Sequence, residues 1–198
     1  QSKKLNSVEL FQKFGLKAKT IAITPAGGRT EDMKLFQIDF DEMTRTSYTD
    51  EDGTVRSFEF EDSEMYEYFT GNEFLCILFE EPTKVYTRHP VTGKRVEVKH
   101  PLVMNKFLGF KRLVFSDEFI NTYAACWEDT RSKIFNRTLV DVIQRDGNGL
   151  TKHNKNGEIS SAPNFMKAAQ NTVFIRGSGE DSSLRNKTEC VNGIRMIP

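Results

Sequence analysis

Apolar and polar residues along the first half of the chain follow the pattern of short strands separated by turns. Residues 16–24 predict a strand that follows a short apolar helix ended by Gly15. The alternation of Phe36, Ile38 and Phe40 predicts a half-buried strand. The unbroken apolar run 74–79 predicts a central strand that is covered on both faces. These elements are predicted to belong to a mixed α/β organisation.

The second half begins with a hairpin signal and continues with a long helix. Residues 91–94 predict the tip of a basic hairpin, and residues 113–115 a further strand. Ser116 is positioned to cap a helix in which Ile120, Tyr123, Trp127 and Ile134 recur near helical spacing. Residues 146–149 predict the turn that ends this helix, followed by a polar linker to Pro163. Residues 172–176 predict a last strand before a glycine-rich loop. The fold class is α/β, with one domain over residues 1–198.

Composition is that of a folded protein, because 37% of the 198 residues are hydrophobic and 16 are phenylalanine. The sequence has no run of 18 apolar residues and no signal-peptide pattern, which predicts a soluble, cytoplasmic chain with no membrane partner. Three widely spaced cysteines predict reduced thiols. The first residue is Gln1, so we expect the chain to be a fragment of a longer polypeptide.

Charge is balanced overall but segregated along the chain. Residues 39–81 hold 14 Asp and Glu against Arg45 and Arg56, whereas residues 82–115 hold eight Lys and Arg against Glu97. A net charge of zero argues against indiscriminate binding to polyanions. The basic segment can still present a positive face, or both segments can be ordinary solvated surface. The sequence leaves these two interpretations open.

Motifs for independent enzymatic chemistry are missing from the sequence. The three histidines, His89, His100 and His153, lack metal-ligand spacing. No phosphate-binding glycine loop and no serine nucleophile motif is present. Cys126 beside Trp127 falls within the predicted helix, where a buried thiol is expected rather than a nucleophile. The residues alone therefore give no support to an independent enzymatic chemistry.

The run 14–23, Phe-Gly-Leu-Lys-Ala-Lys-Thr-Ile-Ala-Ile, resembles the metal-binding strand of the MutH and GATC-specific type II restriction endonuclease family. In that family an acid two residues before a lysine binds Mg²⁺. At the position of that acid this chain has Lys17, and at the position of the family's second acid it has Leu10. The family also has a lysine before the central strand, and the residue at that position here is Glu73. Only Lys19 is retained. Neither Lys17 nor Leu10 can supply the oxygen ligands that Mg²⁺ requires.

The resemblance extends over nearly the whole chain, although each motif is weak by itself. Residues 127–130 resemble a helix of the family, and residues 164–168 and 173–179 resemble the strand and loop that read bases in the major groove. It implies a MutH-like restriction-endonuclease fold, with a central mixed sheet flanked by helices. Within the family, the chain is most similar to the C-terminal domain of enzymes with two MutH-like domains. In those enzymes the first domain is catalytic and the second is a DNA-binding effector.

The resemblance therefore implies a non-catalytic, sequence-specific domain that binds double-stranded DNA containing GATC and regulates a catalytic domain of the same polypeptide. It implies no catalytic residue, metal or cofactor in this chain, with Mg²⁺ held by the catalytic domain. The resemblance also implies that two copies of the chain can dimerise on DNA. The residues expected to bind DNA are Lys17, Lys19, Lys94, Arg95, Arg176, Gly177, Ser178 and Gly179.

Three of these residues have specific expected roles. Lys17 and Lys19 lie two apart on one strand, so both side chains point to one face and would bind backbone phosphate; the alternative is an ordinary solvated face. Arg176 would read guanine at the start of GATC, or else would bond backbone carbonyls of its own loop. The competing function is a structural pseudo-nuclease used for dimerisation or inter-domain packing, with residues 39–81 as the interface. An active nuclease with relocated ligands ranks last.

Overall fold

The structure is a computed structural model that describes residues 9–28, 32–93, 95–154, 156–177 and 182–196. The described residues within Gln1–Phe36 and Gly71–Phe115 form one compact unit, unit 1, and those within Gln37–Thr70 and Ser116–Pro198 form unit 2. The helices of these ranges are α1 (Glu9–Lys13), α2 (Phe40–Met43), α3 (Glu64–Thr70) and α4 (Asp117–Phe135). The strands are β1 (Leu16–Ile23), β2 (Ser47–Thr49), β3 (Val55–Ser57), β4 (Glu73–Glu80), β5 (Val85–Arg88), β6 (Arg95–Val98), β7 (Lys106–Leu113), β8 (Asp141–Ile143), β9 (Ser161–Pro163), β10 (Thr188–Val191) and β11 (Ile194–Met196).

Unit 1 is built on a three-stranded sheet in the order β1-β4-β7. β1 pairs parallel to β4, and β7 pairs antiparallel to it, so the sheet is mixed. Phe74 and Cys76 of β4 are buried, and the other residues of this strand are half-buried. The prediction that the apolar run 74–79 forms the central strand is confirmed. The predicted first strand is also confirmed and ends one residue early, at Ile23.

Gly15 makes the connection between α1 and β1 possible. Its φ of +61° lies in the left-handed region, where a side chain is strained. A Cβ at this position would lie 3.2 Å from the Gly71 carbonyl oxygen. The Gly15 carbonyl accepts a hydrogen bond from the Glu73 amide at 2.9 Å, which begins the pairing of β1 with β4. The predicted helix stop at Gly15 is therefore also the start of the sheet.

The basic segment of unit 1 forms the predicted hairpin, with β5 paired antiparallel to β6. Lys94, which was predicted at its tip, lies outside the described residues. The predicted strand at 113–115 is wrong in its bounds, because β7 runs from Lys106 to Leu113. The sequence obscured this strand because its side chains are mostly exposed, so β7 is held by its main-chain bonds to β4 rather than by burial.

Unit 2 is organised around α4, which confirms the predicted long helix. The helix ends at Phe135, so its predicted end at the 146–149 turn is wrong. Ser116 is its N-cap residue, in extended conformation. The buried residues of α4 are Tyr123, Cys126, Trp127, Thr130 and Ile134. α3 packs on α4 through Phe69, whose ring stacks on that of Tyr123 with centroids 3.6 Å apart. The apolar stripe read from the sequence is thus the core of this unit.

The predicted strand at Phe36, Ile38 and Phe40 is wrong. Residues 32–39 have no regular secondary structure, and Phe40 begins α2. The Asp39 carboxylate accepts a hydrogen bond from the Asp41 amide at 2.9 Å and caps this short helix. A local cap therefore overrides the period-two pattern.

Two predictions for the last third of the chain are also wrong. The expected polar linker between the 146–149 turn and Pro163 ends in β9, which pairs antiparallel with β8 ahead of the turn. Two isolated bridges, Arg145 with Thr151 and His153 with Ile159, lie between these strands. The expected strand at 172–176 has no strand pairing. The 146–149 turn is present, with the Gly149 amide donating to the Asp146 carbonyl.

The chain is therefore a mixed α/β protein with a mixed central sheet and few helices within the described ranges. The MutH-like fold and the single domain over 1–198 stay predictions. In the part of the chain that the structure describes, none of the helices combines the length and the apolar character that a bilayer crossing requires.

Candidate nucleic-acid interface

Lys17 and Lys19 lie on one face of β1, as their spacing predicts. Their register partners on β4 are Phe74 and Cys76. Both lysines are half-buried. The proximity of Lys17 is one of the causes that lower the pKa of Lys19, so their charges act on each other. The structure thus brings these two predicted phosphate-binding residues together.

The Lys19 ammonium is held by the chain that follows β1. Its Nζ donates hydrogen bonds to the carbonyl oxygens of Lys34 at 2.7 Å and of Leu35 at 2.5 Å. Burial is the main cause that lowers the pKa of Lys19, ahead of the repulsion from Lys17 and Lys34. Part of the donor capacity of Lys19 is therefore used within the protein, and Lys17 is the more available cation of the pair.

Lys111 extends this basic face. The sequence placed Lys111 in the basic segment expected to act with Lys17 and Lys19, but it did not predict its position in the same row as Lys19. It is exposed on β7 and is the register partner of Cys76, which in turn is the partner of Lys19. Lys19, Cys76 and Lys111 thus form a row across three strands. Burial raises the pKa of the Cys76 thiol, while the two lysines act in the opposite direction. Only the strand register reveals this row, because Lys111 lies far along the chain.

Glu73 lies on the other face of the sheet. It is the register partner of Leu16, and neighbouring residues on a strand point to opposite faces, so Glu73 and Lys17 point apart. The Glu73 carboxylate forms a two-point ion pair with Arg112, and hydrogen bonding to Arg112 holds the pKa of Glu73 below its usual value. The sequence resemblance grouped these positions, but the structure does not bring Glu73 to the lysine face.

Leu10, the remaining degenerate position, lies in α1. Its side chain is outside the described part of the structure. Among the described residues, no group of three or more histidine, cysteine, aspartate or glutamate side chains is arranged to hold a metal ion.

Arg176 and Gly177 line a cleft of about 590 Å³ in unit 2. The same cleft is lined by Phe165, Met166 and Lys167. The two segments that resemble the base-reading strand and loop therefore meet at one concave surface. Arg176 is exposed. Ser178 and Gly179, the last two predicted DNA-binding residues, lie outside the described residues.

Asn164 anchors the first of these segments. Its side chain accepts a hydrogen bond from the Val140 amide and donates one to the Thr138 carbonyl, both at 3.0 Å. Its main-chain oxygen accepts a bond from Lys133 of α4 at 2.9 Å. Asn164 thereby fixes the entry to the cleft wall, a role that the sequence did not indicate.

The second segment is tied to α4 as well. Asn171 donates from its side chain to the Thr122 carbonyl at 2.8 Å. Cys126 interacts with the Ile175 main chain, and burial raises the pKa of this thiol to about 11. The buried, protonated Cys126 agrees with its predicted structural role. The cleft is therefore built on the rigid core of unit 2, which is a favourable support for a binding surface.

The cleft is electropositive. Its described lining contains no Asp or Glu and includes Lys152, Lys167 and Arg176. Lys152 and Lys167 are exposed and form no ion pair with another described residue. Lys187 is different, because its buried ammonium donates to Ser161 Oγ at 2.8 Å and lies 3.3 Å from Asp141 Oδ2. Lys152 and Lys167 therefore supply charge that no described ion pair balances, and Arg176 adds a third cation to the cleft. The sequence did not indicate Lys152, and it placed Lys167 only within the segment that resembles a base-reading element.

Arg95, the last predicted site residue, lies at the start of β6 with its guanidinium 3.8 Å from the centre of the Tyr86 ring.

The chain matches no protein-family model and no curated protein.

Proposed function

We propose that this chain is a non-catalytic domain that binds double-stranded DNA containing GATC and regulates cleavage by a separate catalytic domain of the same polypeptide. The observation that carries the proposal is the electropositive cleft of unit 2. There, Arg176 and Lys167 come from the two segments that resemble a base-reading element, and Lys152 of the neighbouring hairpin region lines the same surface. Clefts with charge of one sign concentrate oppositely charged ligands. The MutH-like fold, the absence of a metal requirement and the cytoplasmic location belong to this proposal.

The face of the unit 1 sheet that carries lysines is a second observation that supports the proposal. Lys17, Lys19 and Lys111 share one face of the sheet, at the strand that carries the metal site in the family that the sequence resembles. Ammonium groups at such a position attract phosphate without activating water, whereas hydrolysis by the family depends on Mg²⁺. This arrangement favours holding DNA over cutting it.

The decisive experiment is a gel shift of the chain on a GATC duplex and on a scrambled duplex of equal length, with EDTA present. We expect a specific complex with the GATC duplex at protein concentrations that leave the scrambled duplex mostly free. EDTA removes cleavage as a complication. Equal shifts on both duplexes would contradict specific recognition, and no shift on either would contradict DNA binding.

A structural pseudo-nuclease is the second candidate. The observation that favours it is a set of exposed apolar side chains next to and on β7, among them Leu102 at 85%, Val103 at 89% and Phe110 at 65% exposure. Exposed apolar patches commonly mark protein interfaces. A chain that fails the gel shift but dimerises in solution would support this function instead.

We also expect the purified chain to leave GATC plasmid DNA uncut in Mg²⁺. The reason is that the positions matching the metal ligands hold Leu10 and Lys17, which offer no oxygen ligand. Plasmid nicking and linearisation are measured on agarose gels at stoichiometric protein. Cleavage that is abolished by Lys19→Ala would show that this chain is itself the nuclease.

A further inference from the structure

The β5–β6 hairpin of unit 1 has two chemically different faces. Its register pairs Tyr86 with Glu97 and Arg88 with Arg95, so these four side chains share one face. The other face carries Val85, Thr87, Val96 and Val98. All eight residues are exposed. The hairpin is therefore an amphipathic ribbon with one charged side and one largely apolar side.

Charge on the polar face is unbalanced. Glu97 is engaged by Lys84, whose Nζ lies 3.2 Å from its carboxylate. Arg88 and Arg95 are direct cross-strand partners, and neither forms an ion pair with any described residue. Like charges placed directly opposite each other destabilise a strand pair. An anion bound between the two guanidinium groups would remove that repulsion.

The geometry of Arg95 decides which part of a nucleic acid it can meet. Its guanidinium lies over the Tyr86 ring at 3.8 Å, so that ring face is already covered and closed to base stacking. A stacked guanidinium still presents its N–H groups at its edge, in the fork that matches phosphate oxygens. The face is therefore suited to the backbone rather than to bases.

The end of the ribbon is held in place by His89. Its Nδ1 accepts hydrogen bonds from the Val91 amide at 3.3 Å and the Thr92 amide at 3.2 Å, and its carbonyl accepts one from the Gly93 amide at 2.9 Å. Beside this turn, a concave space of about 580 Å³ is lined by Tyr86, Arg88 and Arg95. The two arginines thus flank a preformed recess.

We propose that Arg88 and Arg95 form a phosphate clamp that holds the sugar-phosphate backbone of duplex DNA without reading its sequence. Tyr86 is the positioning residue that orients Arg95. This inference deepens the proposed DNA-binding function and rests on it. It assigns the ribbon to positioning and leaves sequence reading to the cleft of unit 2.

The test measures affinity by fluorescence anisotropy for GATC and scrambled duplexes over a range of salt concentrations, with the full chain. Arg88→Gln combined with Arg95→Gln should weaken both duplexes by the same factor and flatten the log–log salt slope by about two units, roughly one per lost phosphate contact. Arg137→Gln, an exposed arginine of unit 2, is the matched control and should keep the wild-type slope.

Tyr86 supplies a second test that leaves both arginines present. Tyr86→Leu should weaken both duplexes, whereas Tyr86→Phe keeps the aromatic ring and should behave as wild type. Suppose that the wild type binds DNA. An unchanged salt slope in the double variant, or a loss of affinity confined to the GATC duplex, would then overturn the clamp. A wild-type chain that binds neither duplex would instead refute the proposed function, and the clamp with it.

Discussion

Trp127→Ala is expected to destabilise unit 2 by about 3–5 kcal/mol, the usual cost of removing a large buried aromatic side chain. Trp127 is 3% exposed, and its ring lies 6.4 Å from Phe58 and 5.7 Å from Phe60 between centroids. The Arg131 guanidinium covers it at 4.5 Å. The alanine variant would leave a cavity between α4 and these aromatic residues.

Trp127→Phe is the matched control. The indole N–H is buried without a hydrogen-bond partner among the described residues, so its removal loses no bond. Phenylalanine keeps most of the aromatic contact, and we expect roughly half the alanine cost or less. Urea unfolding is followed by far-UV circular dichroism, because Trp127 is the sole tryptophan and its fluorescence would be lost. Equal costs for both variants would contradict the packing described for this residue.

Elements with strong local signals were predictable from the sequence. The run 74–79 is apolar throughout, and it became β4, the central strand. Tyr123, Trp127 and Ile134 recur near helical spacing, and all three are buried on α4. In both cases one local pattern, an unbroken apolar run or a helical period, agrees with the tertiary environment, so the prediction holds.

The β8–β9 region shows why other elements could not be predicted. Its two strands are only three residues long, and residues 144–160 between them are mostly polar, so no apolar period marks a hairpin there. The hairpin is held instead by main-chain pairing and by Ser161, which contacts Asp141 and Lys187. Such contacts join residues distant in sequence, and a single sequence does not specify which polar residues will meet.

The candidate site was also predictable from the sequence only in part. The shared face of Lys17 and Lys19 follows from the two-residue period of a strand, so it was predictable. The place of Lys111 on the lysine face of unit 1 depends on the register of three strands. The place of Lys152 in the cleft of unit 2 depends on the hairpin region that was not predicted. The placement of Glu73 on the opposite face also needed the register, because spacing along the chain does not say which residues of β1 and β4 lie side by side.

Arg176→Ala is expected to weaken binding to the GATC duplex by roughly 1–3 kcal/mol and to affect the scrambled duplex much less, because a base contact matters only where the right base is present. The proposal behind this expectation is that the exposed Arg176, at the electropositive cleft, donates to the O6 and N7 acceptors of guanine. Arg176→Lys should recover only part of the affinity for the GATC duplex, since lysine keeps the charge but lacks the two-point fork.

Lys17→Ala is the contrasting variant, because a phosphate contact contributes to every sequence alike. We expect it to weaken both duplexes by the same factor, and Lys19→Ala should do likewise. Lys17 is the cleaner choice, because removing the Lys19 side chain also removes its bonds to the Lys34 and Leu35 carbonyls. Titrations of all four variants on both duplexes at one salt concentration therefore separate reading from positioning.

Arg176→Ala also tests regulation when the chain is joined to its proposed catalytic domain. If binding of GATC by this domain shifts the catalytic domain toward a cutting-competent state, Arg176→Ala should slow cleavage although no catalytic residue is changed. The slowing should be overcome at high DNA concentration, because the defect lies in affinity rather than in chemistry. An Arg176→Ala enzyme that cuts at the wild-type rate at every DNA concentration, or that loses affinity equally for both duplexes, would remove Arg176 as a reader and favour the structural pseudo-nuclease.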